Sequence, residues 1–245
     1  MELRYAELSV AGPCASNQDC VGFWQSPDAS QDGALAVLAD GVGSLGSGDI
    51  ASRLAVSTGL LAFRESRAVA SLHRRLLDLI NAANWAVYDK GFEQDGPGHI
   101  ATTVAVAAFG RGEIVVGNVG DSRVYLARNG GIQQLSVDHS LVAMQRRFGR
   151  ISEEESRTSA HRHVITRGLG VDPQVRADVN NALALPGDRV VLCSDGLYDC
   201  VTDEELASMV AQSDPAAACR ELVALAEARE TRDNISVQII AIESL

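Results

Sequence analysis

Apolar positions along this chain come in two rhythms, short runs with period two and longer stretches with helical spacing. Residues 3–10 and 21–24 read as two strands joined by a loop holding Asn17-Gln18-Asp19. The apolar run at 34–39 reads as a buried strand that ends in Asp40-Gly41. Gly43, Gly46 and Gly48 follow, with Ser47 a candidate N-cap and Asp49 in the first turn of a helix reaching about Phe63. Ile50, Leu54, Leu61 and intervening alanines supply its expected apolar face. In a second helix Val69, Leu72, Leu76, Leu79, Ile80, Ala83 and Val87 recur at three- and four-residue steps, and Gly91 is placed to stop it.

The rhythm then returns to strands, at 102–109, 113–119, 124–128 and 132–135, separated by Gly110-Arg111-Gly112, Gly120-Asp121-Ser122 and Asn129-Gly130-Gly131. Asn-Gly between strands is a strong hairpin signal, so an antiparallel meander is expected. Residues 138–170 are polar and helical, with a capping box at Ser152–Glu155. A strand at 189–193 ends in Ser194-Asp195-Gly196. A helix capped at Thr202-Asp203-Glu204-Glu205 and another opened by Asp214-Pro215 and running to about Arg229 come next. Arg232-Asp233-Asn234 leads into a last strand, 235–242. Strands, two helices, strands, helices and a strand make an α+β chain with helices outside antiparallel sheets. No repeat, linker or low-complexity tract interrupts residues 1–245, which are expected to form one domain.

Composition narrows the function more than the fold. A net charge of −11 argues against nucleic acid and anionic membranes as partners. No apolar run approaches the length of a membrane span, and residues 1–10 carry no signal-peptide core. The five cysteines, at 14, 20, 193, 200 and 219, form no CxxC pair and read as reduced thiols of a cytoplasmic protein.

The candidate chemistry lies in aspartates at strand ends. Asp40-Gly41, Asp195-Gly196 and Asp233-Asn234 each place a carboxylate beside a glycine or amide, Asp121 lies in a Gly-Asp-Ser turn, and Asp19 in the first loop. Taken singly, each is equally an ordinary turn residue. Together, at one edge of a sandwich, carboxylates that repel one another call for cations. All-oxygen donors suit magnesium or manganese, and two such ions are a known apparatus for in-line attack on phosphorus.

Seven segments carry a family resemblance: Asn17-Gln18-Asp19; Asp40-Gly41-Val42-Gly43 with Gly48-Asp49-Ile50-Ala51-Ser52; Ala101-Thr102-Thr103; Gly117-Asn118-Val119-Gly120-Asp121-Ser122-Arg123; Asp138-His139-Ser140-Leu141; Ser194-Asp195-Gly196-Leu197; and Asp233-Asn234-Ile235-Ser236-Val237. In order and spacing, over nearly the whole chain, they resemble the bacterial PP2C-type (PPM) metal-dependent Ser/Thr protein phosphatases. The resemblance implies a four-layer αββα sandwich, two antiparallel sheets flanked by antiparallel helix pairs, with two Mn²⁺ or Mg²⁺ ions at one end. By position, Asp40 would bridge the ions, the Gly41 carbonyl would bind one, and Asp195 and Asp233 the other. Asp19 would hold metal-bound water, Asp121 would help bind a weaker third ion, and residues 138–170 would form a mobile flap that tunes substrate choice. The implied reaction is direct attack of a metal-bridging hydroxide on phosphoserine or phosphothreonine. Its substrates would be phosphorylated proteins of a cognate Ser/Thr kinase system, and the protein a monomer.

Two features depart from that pattern. The family usually has an arginine at the position of Cys14, where it grips phosphate, and a histidine in the glycine-rich loop where this chain has Gly43-Ser44-Leu45. The grip is then either weakened or supplied by another cation such as Arg162 or Arg167. His161 and His163, one residue apart, read as flap surface residues, with ligation of a metal as the sharper alternative. Rival functions are a catalytically weak phosphoprotein-binding module and a metal hydrolase of another phosphate ester. Asp40, Asp195 and Asp233, all present, weigh against the first.

Overall fold

The computed structural model describes residues 1–27, 33–42, 47–66, 71–94, 99–110 and 112–245. Gly43, Ser44, Leu45, Gly46, Val69 and Arg111, named above, lie outside the described residues. Strands β1 (Glu2–Val10), β2 (Asp19–Gln25) and β3 (Ala34–Asp40) precede helices α1 (Gly48–Glu65) and α2 (Leu72–Gln94). A meander follows: β4 (Val104–Gly110), β5 (Glu113–Val119), β6 (Arg123–Arg128) and β7 (Gly131–Gln134). Then come short helices α3 (Leu141–Arg147) and α4 (Glu153–Thr158), strands β8 (Asp178–Leu183) and β9 (Arg189–Cys193), and helices α5 (Asp195–Tyr198), α6 (Asp203–Gln212) and α7 (Pro215–Ala228). Strand β10 (Ile235–Ser244) is the last element.

Among the described residues the strands make two five-stranded sheets, β1-β10-β9-β6-β7 and β2-β3-β4-β5-β8, antiparallel at every pairing. Strand β3 shows why its run is apolar throughout. Leu35, Val37 and Ala39 face α1 and α2, while Ala34, Ala36 and Leu38 face the other sheet. A third apolar layer joins the β1-β10-β9-β6-β7 sheet to α6 and α7. Three cores between four layers are the αββα sandwich expected from the sequence. The Asn129-Gly130 hairpin forms with both residues at positive φ, 53° and 77°, as a turn of matching twist requires. Both capping boxes form, at Ser152/Glu155 and Thr202/Glu205.

The local expectations that fail have physical causes. Gly91 does not stop α2 but sits buried inside it, because its backbone takes no left-handed turn. Ser47 holds the N-cap position of α1 without a capping bond from its side chain. Ile50 and Leu61 are exposed, whereas the expected alanines, Ala51 and Ala55, are buried with Val56, Gly59 and Phe63, and Leu54 packs half-buried beside them. Small residues let α1 settle onto β2, where a Cβ on Gly22 would stand 2.8 Å from both Val56 and Leu60. Strand β8 is missed because Asp-Val-Asn-Asn reads as loop; it is an edge strand with no residue fully buried, paired among the described residues with β5 alone.

Strand direction gathers the candidate residues. The start of β2 and the end of β3 are paired, Asp19 opposite Asp40. The end of β9 lies beside the start of β10, with Cys193 opposite Val237. The β5–β6 turn reaches the same edge of the sandwich, as the contacts of Thr103 with Ser122 and Asp40 establish.

Candidate active site

Three of the five aspartates, Asp19, Asp40 and Asp233, are held by hydroxyls and amides of their neighbours. Thr103 Oγ1 accepts the Asp40 N–H at 3.0 Å and shares a proton with Ser122 Oγ at 2.6 Å, so Asp40 and the Asp121 turn are clamped together. Thr102 Oγ1 and the Thr103 N–H both donate to the Asp40 carbonyl. Across the sandwich Ser194 Oγ donates to Asp19 Oδ2 at 2.8 Å and accepts the Ser236 N–H at 3.0 Å. One hydroxyl thus couples the two sheets at the site. Asp233 Oδ1 accepts the Asn234 N–H at 2.7 Å, and the Asn234 amide is tied to Gln18 N–H, Ala11 O and Ser16 O. Gly196 packs against that turn so closely that a Cβ there would overlap the Asn234 carbonyl. Gly41 and Gly48 press backbone on backbone in the same way.

The electrostatics are those of uncompensated negative charge. Burial, then Asp19, Asp195, Asp121 and Asp233, push Asp40 well above the ordinary carboxylate range. Asp121 is pushed up to about 8 by burial and then by Asp195 and Asp138. Asp19 rises to about 6, burial outweighing its serine hydrogen bonds, and Asp233 rises through burial and Asp195. Among the described residues, Asp19 Oδ1 and Asp195 Oδ1 are buried with no hydrogen-bond partner. Buried carboxylate oxygens without donors are costly unless something cationic meets them. Oxygen donors on the carboxylates of Asp19, Asp40, Asp121, Asp195 and Asp233 fit hard divalent cations. Among the described residues no three acidic, thiol or imidazole side chains close tightly enough to enclose an ion unaided.

A cleft of about 300 Å³ opens beside Asp195 and Asp233 and is also lined by Arg123, Arg157, Arg162, His163 and Arg232. His163 does not stand free on the surface: its Nδ1 lies 3.0 Å from Asp195 Oδ2, which raises the pKa of the imidazole. Both imidazoles are exposed, but among the described residues only His163 has a carboxylate partner. Arg162 binds Asp199 at 3.2 Å within the cleft. Arg167 is elsewhere, against His139 and Asp178 on the wall of a separate cavity. Cys14 sits next to the site, its thiol 3.6 Å from the Arg232 carbonyl and its pKa raised by burial, Asp233 and Asp19.

Two supporting residues, Arg123 and His139, stand inside the segments that carry the family resemblance, where the sequence assigns them no role. His139 exchanges two hydrogen bonds with Gly120, accepting its N–H on Nδ1 at 3.2 Å and donating its own N–H to the Gly120 carbonyl at 2.9 Å. Arg123 donates from Nε and Nη2 to Asp138 and lies 3.7 Å over the Tyr198 ring.

Comparison with known proteins agrees with this geometry. The profile of the family described as protein phosphatase 2C matches residues 14–233. The serine/threonine phosphatase stp of Listeria welshimeri is 31% identical over 196 residues, 78% of this chain and 75% of its own. The crystal structure of the Mycobacterium tuberculosis serine/threonine phosphatase PstP/Ppp superposes with a TM-score of 0.88 at 31% identity, covering 99% of each chain. A PstP catalytic domain in complex with two manganese ions superposes at 0.85 with 30% identity, again over 99% of each chain.

Proposed function

The chain belongs to the protein phosphatase 2C family of metal-dependent serine/threonine phosphatases, and from that membership we propose how its residues divide the work. It hydrolyses phosphoserine and phosphothreonine in proteins, as its relatives' names imply. Asp40, the Gly41 carbonyl, Asp195 and Asp233 would hold two divalent cations, Mn²⁺ or Mg²⁺. Asp121 contributes to a weaker third, and Asp19 orients water from outside the ligand ring. Bound there, such ions act as Lewis acids that acidify water and offset charge on phosphoryl oxygens. The observation that carries the reading is the pair of buried, partnerless oxygens on Asp19 and Asp195 amid carboxylates that repel one another.

The protein's own residues fix where these groups stand. Ser194 holds Asp19 through Oδ2, and its other oxygen has no hydrogen-bond partner among the described residues. Thr102 and Thr103 immobilise the Asp40 backbone through three bonds. No thiol serves as nucleophile: Cys14 is raised by burial and neighbouring carboxylates, and Cys193 is buried and pushed up to about 12, so both stay protonated at neutral pH. Residues 138–170 act as a flap, a role supported by the reach of His163 to Asp195 and of Arg162 to Asp199. The protein works as a monomer opposite a Ser/Thr kinase in the cytoplasm; its five unpaired cysteines and net charge of −11 support that setting. Among the described residues no helix is long and apolar enough to cross a membrane.

The test is steady-state hydrolysis of a phosphothreonine peptide and of p-nitrophenyl phosphate with and without Mn²⁺. Metal-stimulated turnover on the peptide, abolished by chelator and by Asp195→Ala, is expected. Absence of metal-stimulated turnover on both substrates would mark a binding module, and turnover confined to small esters a different hydrolase.

A further inference from the structure

The cleft beside Asp195 and Asp233 contains several arginines, but their charges are not equally available. Arg123 is committed to Asp138 by hydrogen bonds from Nε and Nη2. Arg162 is committed to Asp199, and Arg157 lies within electrostatic reach of Glu204. Arg232 differs: among the described residues its guanidinium makes no hydrogen bond or ion pair, although it lines the cleft and directly precedes Asp233. Its backbone, by contrast, is held. The Cys14 thiol meets the Arg232 carbonyl at 3.6 Å, and the Asn234 amide ties the turn to Ala11 and Ser16. The result is a fixed stem carrying a free planar cation at the rim of the carboxylate cluster.

A phosphate monoester brings about two negative charges and three acceptor oxygens, and a guanidinium fork matches two of those oxygens at once. We propose that Arg232 binds the phosphoryl group of the substrate, holding it over the site from the turn that precedes β10. The proposal rests on the phosphatase reading above, since it supplies the cation that a phosphorylated substrate needs in a cleft otherwise rich in carboxylates. Arg232 is exposed, so its replacement does not disturb the core. Position 14 adjoins its carbonyl, so an arginine placed there can reach the same space.

The experiment uses the full chain loaded with Mn²⁺ and titrates inorganic phosphate by calorimetry, alongside KM and kcat for a phosphothreonine peptide. Arg232→Ala should weaken phosphate binding about tenfold and raise KM by a similar factor, the scale of one charge-assisted contact, with Mn²⁺ affinity unchanged. Arg232→Lys should recover part of the loss, because charge remains and the fork is gone. Cys14→Arg on the Arg232→Ala background should recover most of it. Phosphate affinity that is the same in wild type and Arg232→Ala overturns the proposal, as does a Mn²⁺-loaded wild type that binds no phosphate. Phosphate binding that depends on Arg232 without any turnover would keep the grip and remove the phosphatase reading.

Discussion

Asp121 shows at a single residue what crowding of buried carboxylates does to their protonation. Burial, then Asp195 and Asp138, raise its pKa from 3.8 to about 8. Between those values the folded, metal-free protein holds a proton that the unfolded chain has released. Its stability is therefore greatest below the window and falls as pH rises through it. The metal-free protein should melt at a lower temperature at about pH 8 than at about pH 6.5, and Asp121→Asn should flatten that trend. Mn²⁺ should raise the melting temperature more at the higher pH, because carboxylates bind metal only after losing their protons. A metal-free melting temperature that climbs across this interval contradicts the assignment. Ser194 offers a second test at this scale. Its hydroxyl is the donor that orients Asp19, so Ser194→Ala should cost about tenfold in activity or Mn²⁺ affinity, read by titrating Mn²⁺ against turnover. The five aspartates were legible in the sequence because each stands beside a turn residue at a strand end. Thr103, Ser122, Ser194 and Ser236 lay inside quoted motifs without a role, because what they do depends on which sheet faces which. His163 was legible as a flap residue and not as a partner of Asp195, since 32 positions separate the two.

At the scale of elements, close backbone approach matters more than side-chain packing around the site. Gly196 opens α5 against the Asn234 carbonyl with no space for a Cβ. Gly196→Ala should destabilise the fold by roughly 1–3 kcal/mol and separate Asp195 from Asp233, seen as a lower denaturant midpoint together with weakened Mn²⁺ binding. Loss of stability with metal affinity retained would contradict that coupling. Thr202→Ala, which removes the cap of α6, should cost about 1 kcal/mol and leave kcat unchanged. Strong periodicity made α2, α6 and α7 readable, and the Asn129-Gly130 turn fixed one hairpin. Strand β8 was not readable, since Asn180 and Asn181 have poor strand propensity and only the edge of β5 recruits them. The alanines and Leu54 of α1 were legible as its apolar face, but Ile50 and Leu61 were not legible as exposed, since the close approach to the sheet falls at Ala55, Val56 and Gly59.

Across the whole molecule, three apolar layers hold two sheets rigidly enough for strand ends far apart in sequence to meet at one edge. Asp19 and Asp40 arrive on one sheet and Asp195 and Asp233 on the other, with Ser194 bonded across to Asp19. The concentration of negative charge there is the feature that every functional statement depends on. Anomalous scattering from a crystal soaked in Mn²⁺ addresses it most directly. Two strong peaks that share Asp40 as a ligand, one of them also bound by Asp195 and Asp233, are the result this account predicts. Peaks that leave Asp40, Asp195 and Asp233 without a common pair of ions would contradict it.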